Sequence, residues 1–209
     1  IENLIEGNHD NNSIFEINDK IIINFDKVKL DKNYNLYKFS GDLIFRNKKI
    51  IKSNLDGNFS KDKKLKFSVN TSENKTITTL FLDYAEPIIN RYKFIKGFEE
   101  GILDFYSSSN GIESNSKLKI YDFKLKELPI LTKILTLASL KGISDILSGE
   151  GIRFDEFEMK FIEKASLMTI NEIYGIGPAI SILMDGYVEK NKLVSLRGTL
   201  VPATTINKV

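Results

Sequence analysis

The sequence predicts a mainly β protein built from many similar hairpins. Three observations support this fold class. Runs in which apolar and polar residues alternate recur along most of the chain, and hydrophilic joints separate them. One eight-residue pattern occurs three times with the same spacing of apolar residues. Hydrophobic residues make up 42% of the 209 residues, which is enough to build a core.

Residues 1–128 contain the first group of predicted elements. The alternation predicts strands over 21–30, 36–45, 49–59, 64–70 and 76–83, joined by polar segments of hairpin-loop length. It stops around 84–95, where Pro87 suits the first turn of a short helix. Strand-like sequence resumes over 101–109 and 116–128. We therefore expect a repeated β array with one short helix near 85–95.

Residues 129–149 are the best helix candidate in the chain. Pro129 precedes a broad apolar stripe, and Gly149 suits the end of a helix. Lys133, Lys141 and Asp145 make the segment a poor membrane span, since each charge is expensive at the centre of a bilayer. The stripe consists of Leu131, Ile134, Leu135, Ala138 and Leu140. This segment is therefore expected to be an amphipathic helix.

The region 150–209 returns to strand patterns, with alternating runs over 166–176, 179–189 and 192–202. The chain begins in the middle of a pattern at Ile1 and stops soon after a strand-like run. We therefore expect a C-terminal β region that is truncated at its end, within a fragment of a longer protein.

The repeated pattern places apolar residues at positions 1, 3, 6 and 8 of "INFDKVKL" (23–30), "LKIYDFKL" (118–125) and "IRFDEFEM" (152–159). Each copy has an aspartate in its central pair: Asp26, Asp122 and Asp155. Two alternations offset by one residue indicate a β-bulge, because an extra residue returns the apolar side chains to the same face. The first two copies do not fit a helical period, so the strand interpretation is favoured for the third as well.

Residue types that most catalytic sites need are scarce. The chain has no cysteine, and His9 is its one histidine, which excludes most catalytic triads and nearly all zinc sites. The carboxylate pairs Glu99–Glu100 and Asp155–Glu156 fall in predicted turns or exposed strand positions, where solvated charge is the ordinary state. We therefore expect no enzyme activity, no metal site and no cofactor.

The charge distribution gives little support for nucleic-acid binding. Lys and Arg number 30 against 28 acidic residues, and the two signs are interspersed rather than gathered on a basic face. The basic and aromatic residues of "DLIFRNKKIIK" (42–52) are explained more simply by edge-strand lysines that discourage pairing between sheets.

A sheet of about ten strands with one apolar face needs that face covered, and a single helix is too small to do so. The sheet could close on itself, pack against a second sheet, or leave its apolar face for a ligand. Acyl chains suit the last option, because binding them needs apolar area and few specific groups.

Three pieces of the C-terminal third carry a family resemblance. They are "LASLKGISDILSGEGIRFD" (137–155), a Gly–Pro turn leading to an apolar strand and "DGYV" (177–188), and "LRGTLVPA" (196–203). Together they resemble the C-terminal region of AsmA-like proteins of the YhdP-type branch. Residues 1–128 are similar only in style, through repeated strands with Gly-Asp or Asp-Gly turns.

The resemblance implies a long, twisted, antiparallel sheet curled into an open, taco-like groove with one or two amphipathic helices. Such proteins are anchored by an N-terminal helix in the inner membrane of double-membraned bacteria and extend across the periplasm. They are linked to phospholipid movement towards the outer membrane, and the family has no catalytic residues to carry over. Against this pattern, we expect the given sequence to be a piece without the anchor that ends before the family pattern does.

Our leading hypothesis is therefore a periplasmic protein, inner-membrane anchored at full length, whose groove carries phospholipid acyl chains. The expected inward residues of the later strands are Ile152, Phe154, Phe157, Met159, Phe161, Leu167, Ile170, Ile180, Ile182 and Met184. The helix residues Leu131, Ile134, Leu135 and Ala138 would cap the groove or touch the membrane. The same residues would fill a closed core if no groove exists. The alternative function is a structural module that pairs its sheet edges with other envelope proteins.

Overall fold

The computed structural model describes residues 19–60, 63–92, 97–126, 151–190 and 193–202. Within them, eleven strands follow one another in space in the same order as in the chain, and every neighbouring pair is antiparallel. The strands are β1 Lys20–Lys29, β2 Asn35–Arg46, β3 Lys49–Asn58, β4 Lys64–Ser72, β5 Lys75–Leu82, β6 Phe98–Ser109, β7 Glu113–Leu125, β8 Ile152–Lys164, β9 Leu167–Ile176, β10 Ile180–Glu189 and β11 Leu193–Pro202. The described helix is α1, Glu86–Tyr92.

The predicted fold class is confirmed: the protein is mainly β, a single antiparallel sheet that does not close into a barrel. Among the described residues, β1 pairs only with β2 and β11 only with β10, so the sheet has two free edges. The short helix predicted near 85–95 is α1, with Pro87 in its first turn. The helix predicted over 129–149 lies outside the described residues, as does His9.

The connections differ in length between the two ends of the strands. At one end, which we call the turn rim, the strands are joined by two or three residues, as at 47–48, 73–74 and 165–166. At the other end, the long rim, lie most of the longer connections, including 83–97, which contains α1, and 126–151 between β7 and β8. Because β7 and β8 pair directly, the two predicted β regions share one sheet.

The core lies on one face of this sheet, which we call the inner face. Its main cluster is near the long rim and includes Leu82, Phe98, Phe123 and Phe154, each at most 2% exposed. The rings of Phe98, Phe123 and Phe154 stack nearly parallel on neighbouring strands, with centroids 5.3 and 5.2 Å apart. A smaller cluster of Phe161, Ile170 and Ile173 continues the inner face towards the turn rim.

The repeated pattern produces irregular strands, but the prediction of one-sided bulges is wrong. Phe154 and Phe157 both pack on the inner face, although they are three positions apart in the strand. Neither β7 nor β8 contains an extra residue here, because Tyr121 faces Glu156 and Phe123 faces Phe154 in one unbroken register. Instead, the side chains of both strands change face at the same point, where Asp122 lies in the left-handed backbone region (φ 50°).

The same arrangement appears at the first copy of the pattern. Between β1 and β2 the register is unbroken on both sides of Asp26, and Lys38, which faces it, has a φ of 49°. On β6 the matching change of face occurs at Glu100 and Gly101, which have φ values of 65° and 82°. A Cβ on Gly101 would lie 2.9 Å from the Phe98 ring, so glycine is needed at this point.

We expect the three-ring stack to be a major source of stability. Phe123→Ala would remove the middle ring and leave a cavity between Phe98 and Phe154, which should lower the free energy of unfolding by about 3–5 kcal/mol. Urea denaturation followed by circular dichroism would measure this change. Tyr106→Ala, at a 42% exposed position on β6, is the control and should cost less than about 1 kcal/mol. Equal losses in both variants would contradict the proposed importance of the stack.

Candidate functional site

The inner face carries an apolar row that crosses all eleven strands. Residues directly opposite each other in a sheet share a face, so the pairing register defines the row. Its members, in strand order, are Ile23, Gly41, Leu55, Phe67, Leu80, Phe105, Leu118, Met159, Ile173, Met184 and Gly198. We call this the central row. It contains no polar side chain.

The central row is less enclosed than the core beside it. Ile173 is its one buried side chain, at 8% exposed, while the other side chains of the row are half-buried. The neighbouring row on the long-rim side is more enclosed, with Leu65, Leu82, Leu103 and Ile120 all at 8% exposed or less. Ten strand spacings give the central row a length of roughly 48 Å. That exceeds the roughly 15 Å depth of one bilayer leaflet, half of a hydrocarbon core of about 30 Å.

Nine of the ten inward residues expected from the sequence lie on this face. Ile152, Phe154 and Ile180 belong to the main cluster, and Phe161 and Ile170 belong to the smaller one. Phe157 and Ile182 contact both clusters, while Met159 and Met184 pack against the smaller one. Their role in binding a lipid stays a prediction.

The placement of Leu167 on the inner face is wrong. Leu167 is 42% exposed, and its neighbour Met168 packs against the smaller cluster instead. The cause is an extra residue in β9: Lys160 faces Glu172, but the next residue, Phe161, faces Ile170. The inner-face residues of β9 are therefore even-numbered before this bulge and odd-numbered after it.

Sequence reasoning also missed the part of the row contributed by β3 to β7. Leu55, Phe67, Leu80, Phe105 and Leu118 continue the row without interruption. The signal was present in the sequence as alternation over 64–70 and 76–83. It could not be connected to the later strands, because alternation gives a residue's face but not its register with distant strands.

Helix α1 is fixed over the inner face at the long rim. Ala85 N–H donates to the Gly101 carbonyl oxygen at 2.7 Å, and Ile89 packs in the main cluster. The Glu86 carboxylate accepts hydrogen bonds from the Tyr34 hydroxyl and, at 2.7 Å, from the backbone N–H of Glu100. Glu86 thus joins the β1–β2 connection to β6 across four intervening strand pairings, which requires the sheet to be curved.

The tyrosines of this anchoring cluster have raised pKa values. Burial raises the pKa of the Tyr34 hydroxyl, and its hydrogen bond to Glu86 raises that pKa further. Burial also raises the pKa of Tyr84, whose ring meets those of Tyr34 and Phe59 edge-on at 6.0 and 6.2 Å. Both hydroxyls therefore stay protonated at neutral pH and act as hydrogen-bond donors rather than bases.

The opposite, outer face is covered by paired charges on β7 to β11. Glu158 accepts from Lys117 at 3.1 Å, Lys119 at 3.0 Å and Lys160 at 3.2 Å. Lys160 also contacts Glu172 at 2.8 Å, and on the last two strands Arg197 pairs with Asp185 at 2.7 Å. The sheet is therefore two-faced, with ion pairs outside and the apolar rows inside.

Within the described part of the chain, no helix is long and apolar enough to cross a membrane. The same residues contain no group of three or more histidine or carboxylate side chains placed to hold a metal ion. A shallow polar depression of about 320 Å³ lies between the β4–β5 and β6–β7 turns, on the turn rim and lined by serine, asparagine, glutamate and lysine side chains. The apolar inner face remains the candidate site.

No family model, curated protein or solved structure matches this chain.

The ion pairs of Glu158 predict an acid-sensitive part of the stability. Burial alone would raise its pKa, but the three lysines outweigh burial and lower the pKa from about 4.5 to about 2. A lowered folded-state pKa stabilises the folded protein above pH 4.5, and this stabilisation is lost as the pH falls towards 2. Glu158→Gln should therefore lower the free energy of unfolding at pH 7, and by only about 1 kcal/mol because water around the partly exposed lysines screens the interaction.

Denaturant titrations at pH 7, 4 and 2.5 would measure this effect. The difference between the wild type and Glu158→Gln should shrink as the pH falls. A difference that stays constant over this range would show that the carboxylate charge is not responsible.

Proposed function

We propose that this protein is a non-catalytic lipid-binding module whose inner face holds phospholipid acyl chains. The observation that carries the proposal is the central row: an apolar, half-buried path that crosses every strand of an open sheet. An acyl chain lying along it would exchange water for Leu, Ile, Phe and Met side chains. Such contact contributes about 25 cal/mol for each Å² of apolar surface removed from water.

The path reaches both free edges of the sheet. On β1 the inner-face residue Phe25 is 53% exposed, and on β11 Val194 and Leu196 are 63% and 41% exposed. These apolar side chains are accessible at the two positions where an acyl chain would enter or leave the row. The ion pairs of the outer face keep that side in water and give it no comparable apolar surface on β7 and β8.

Together with the AsmA-like, YhdP-type resemblance of residues 137–155, 177–188 and 196–203, this supports a specific setting. We propose that the chain belongs to a periplasmic protein that is anchored in the inner membrane and moves phospholipid towards the outer membrane. The groove would shield the acyl chains during this passage, and no catalytic residue, metal or cofactor would take part.

The proposal predicts that a charge on the inner face abolishes lipid retention. Met184→Asp places a carboxylate in the central row, where an acyl chain would have to desolvate it. Leu183→Asp is the matched control, because Leu183 is the preceding residue, points to the outer face and is 53% exposed. Native mass spectrometry of the purified protein and extraction of bound lipid would measure retention.

We expect phospholipid with the wild type and Leu183→Asp, and at least about tenfold less with Met184→Asp. Leu196→Asp at the accessible edge of the inner face is a second variant with a smaller risk of misfolding, and it should also reduce retention. A wild-type protein that retains no lipid when expressed and purified in the presence of phospholipid would overturn the proposal.

The free edges favour a second function, a structural module that pairs with envelope proteins by strand addition. Lysine on an edge strand discourages such pairing. The double variant Ile22→Lys/Leu193→Lys changes only outer-face positions of β1 and β11, which are 75% and 50% exposed. If edge pairing is the function, this variant should lose assembly in cross-linking and light-scattering measurements while its lipid retention is unchanged. Unchanged assembly would exclude edge pairing.

A further inference from the structure

We infer that the inner face contains a polar subsite that hydrogen-bonds the ester groups of a bound acyl lipid. The inference rests on the proposed lipid-binding function and assigns a position to the part of the ligand that is not hydrocarbon. The subsite is a second cross-strand row, next to the central row on its turn-rim side. We call it the hydroxyl row.

The register places the hydroxyl row across β3 to β7. Ser53, Val69, Thr78, Ser107 and Ser116 face one another in sequence on these five strands. Each is two residues from a member of the central row on its own strand, so both rows lie on the inner face. The hydroxyl row ends at β8, where Ser116 faces Phe161 of the smaller cluster.

Three hydroxyl groups of this row have a hydrogen for which no acceptor is seen among the described residues. Ser53 is 0% exposed, and its Oγ has no hydrogen-bond partner among the described residues. Ser116 Oγ donates to Ser107 Oγ at 2.9 Å, which leaves the hydrogen of Ser107 unused. Thr78 is half-buried, and no side-chain hydrogen bond of its hydroxyl is seen among the described residues.

The unpaired Ser53 hydroxyl is the observation that points to a ligand. Leaving a buried donor unsatisfied costs about 1–3 kcal/mol, so buried hydroxyl groups nearly always have a partner. The hydroxyl groups nearer the turn rim behave in that ordinary way: Thr71 pairs with Thr76 at 3.0 Å, and Ser109 donates to the Glu113 carbonyl at 3.1 Å. The hydroxyl row thus differs from its surroundings in holding unused donors.

The chemistry of the row selects an uncharged acceptor. On the described inner face of β3 to β7, the central and hydroxyl rows contain no Asp, Glu, Lys or Arg side chain. A phosphate or carboxylate would therefore lack a counter-charge there, whereas a carbonyl oxygen needs only a neutral donor. In a diacyl lipid, ester carbonyls adjoin the hydrocarbon chains, as the hydroxyl row adjoins the central row.

The experiment compares two lipids that differ only in these carbonyl groups. Dipalmitoyl phosphatidylcholine and its dihexadecyl ether analogue share the headgroup and chain length, but the ether lipid has no carbonyl acceptors. An equimolar mixture of the two is offered to the full chain, and native mass spectrometry gives the ratio of bound ester lipid to bound ether lipid. This ratio does not depend on the fraction of the protein that carries lipid.

We expect the wild type to favour the ester lipid by about fivefold, as one or two net hydrogen bonds would give. Thr78→Val/Ser107→Ala should bring the ratio close to one while total lipid binding persists. The matched control is Thr79→Val/Ser108→Ala, which changes the next residues of the same strands on the outer face and should keep the wild-type ratio.

Ser53→Ala provides a second variant with a single substitution. It removes a hydroxyl that has no partner, so it should fold at least as well as the wild type. It should also lower the ratio. A wild-type ratio of one, or an unchanged ratio in both inner-face variants, would overturn the ester subsite while leaving the acyl groove intact. Binding of neither lipid by the wild type would overturn the subsite and the proposed function together.

Discussion

The described residues form one sheet without a second sheet over it, so they bury one face through the curvature of that sheet, and the rest of the described structure depends on this constraint. At the long rim, Glu86 ties the β1–β2 connection to β6, and helix α1 packs over the main cluster. The stacked Phe98, Phe123 and Phe154 rings fill the resulting concavity. The central row runs beside this cluster and is half-buried over most of its length.

The irregular positions in the strands bring Phe157 to the same face as the aromatic stack, where its ring meets Phe123 edge-on. A regular strand would turn Phe154 and Phe157 to opposite faces, since side chains alternate with a period of two. The paired irregularity at Asp122 and Asp155 returns both phenylalanines to the inner face without shifting the register of β7 and β8. Both aspartates point away from the core into solvent, where their carboxylates stay hydrated. The repeated sequence pattern is thus the mark of a local backbone conformation shared by two strands.

Most of the fold could be predicted from the sequence, because alternation and polar turns are local signals. They located every described strand and the short helix that begins at Glu86. The face of each strand followed from the same alternation until a bulge intervened, as in β9, where the extra residue moved Leu167 outward and Met168 inward. That bulge depends on how β9 meets both neighbours, and no residue type in "LMTINEIYGI" marks it.

The candidate site was predicted only in part for a different reason. The later strands were recognised as apolar. A row of half-buried side chains, however, is defined by the register across the whole sheet, and the sequence of one strand does not determine its register with the others. Tyr34, Tyr84 and Glu86 come together through the fold alone, as do Ser53, Thr78 and Ser107. Each of these residues looks ordinary in the sequence, and its meaning comes from its neighbours across strands.

The meander order of the strands has a consequence for mechanics. Each strand exchanges backbone hydrogen bonds only with the strands before and after it in the chain, so no long-range pairing locks the sheet as a whole. In this respect the protein resembles repeat proteins, whose stability is approximately a sum of units and nearest-neighbour interfaces. Tension applied at β11 would therefore peel one strand at a time, and the resistance would rise at β10, where Ile180 belongs to the main cluster, and again at β8 with the aromatic stack. The molecule has a compliant end and a stiff middle.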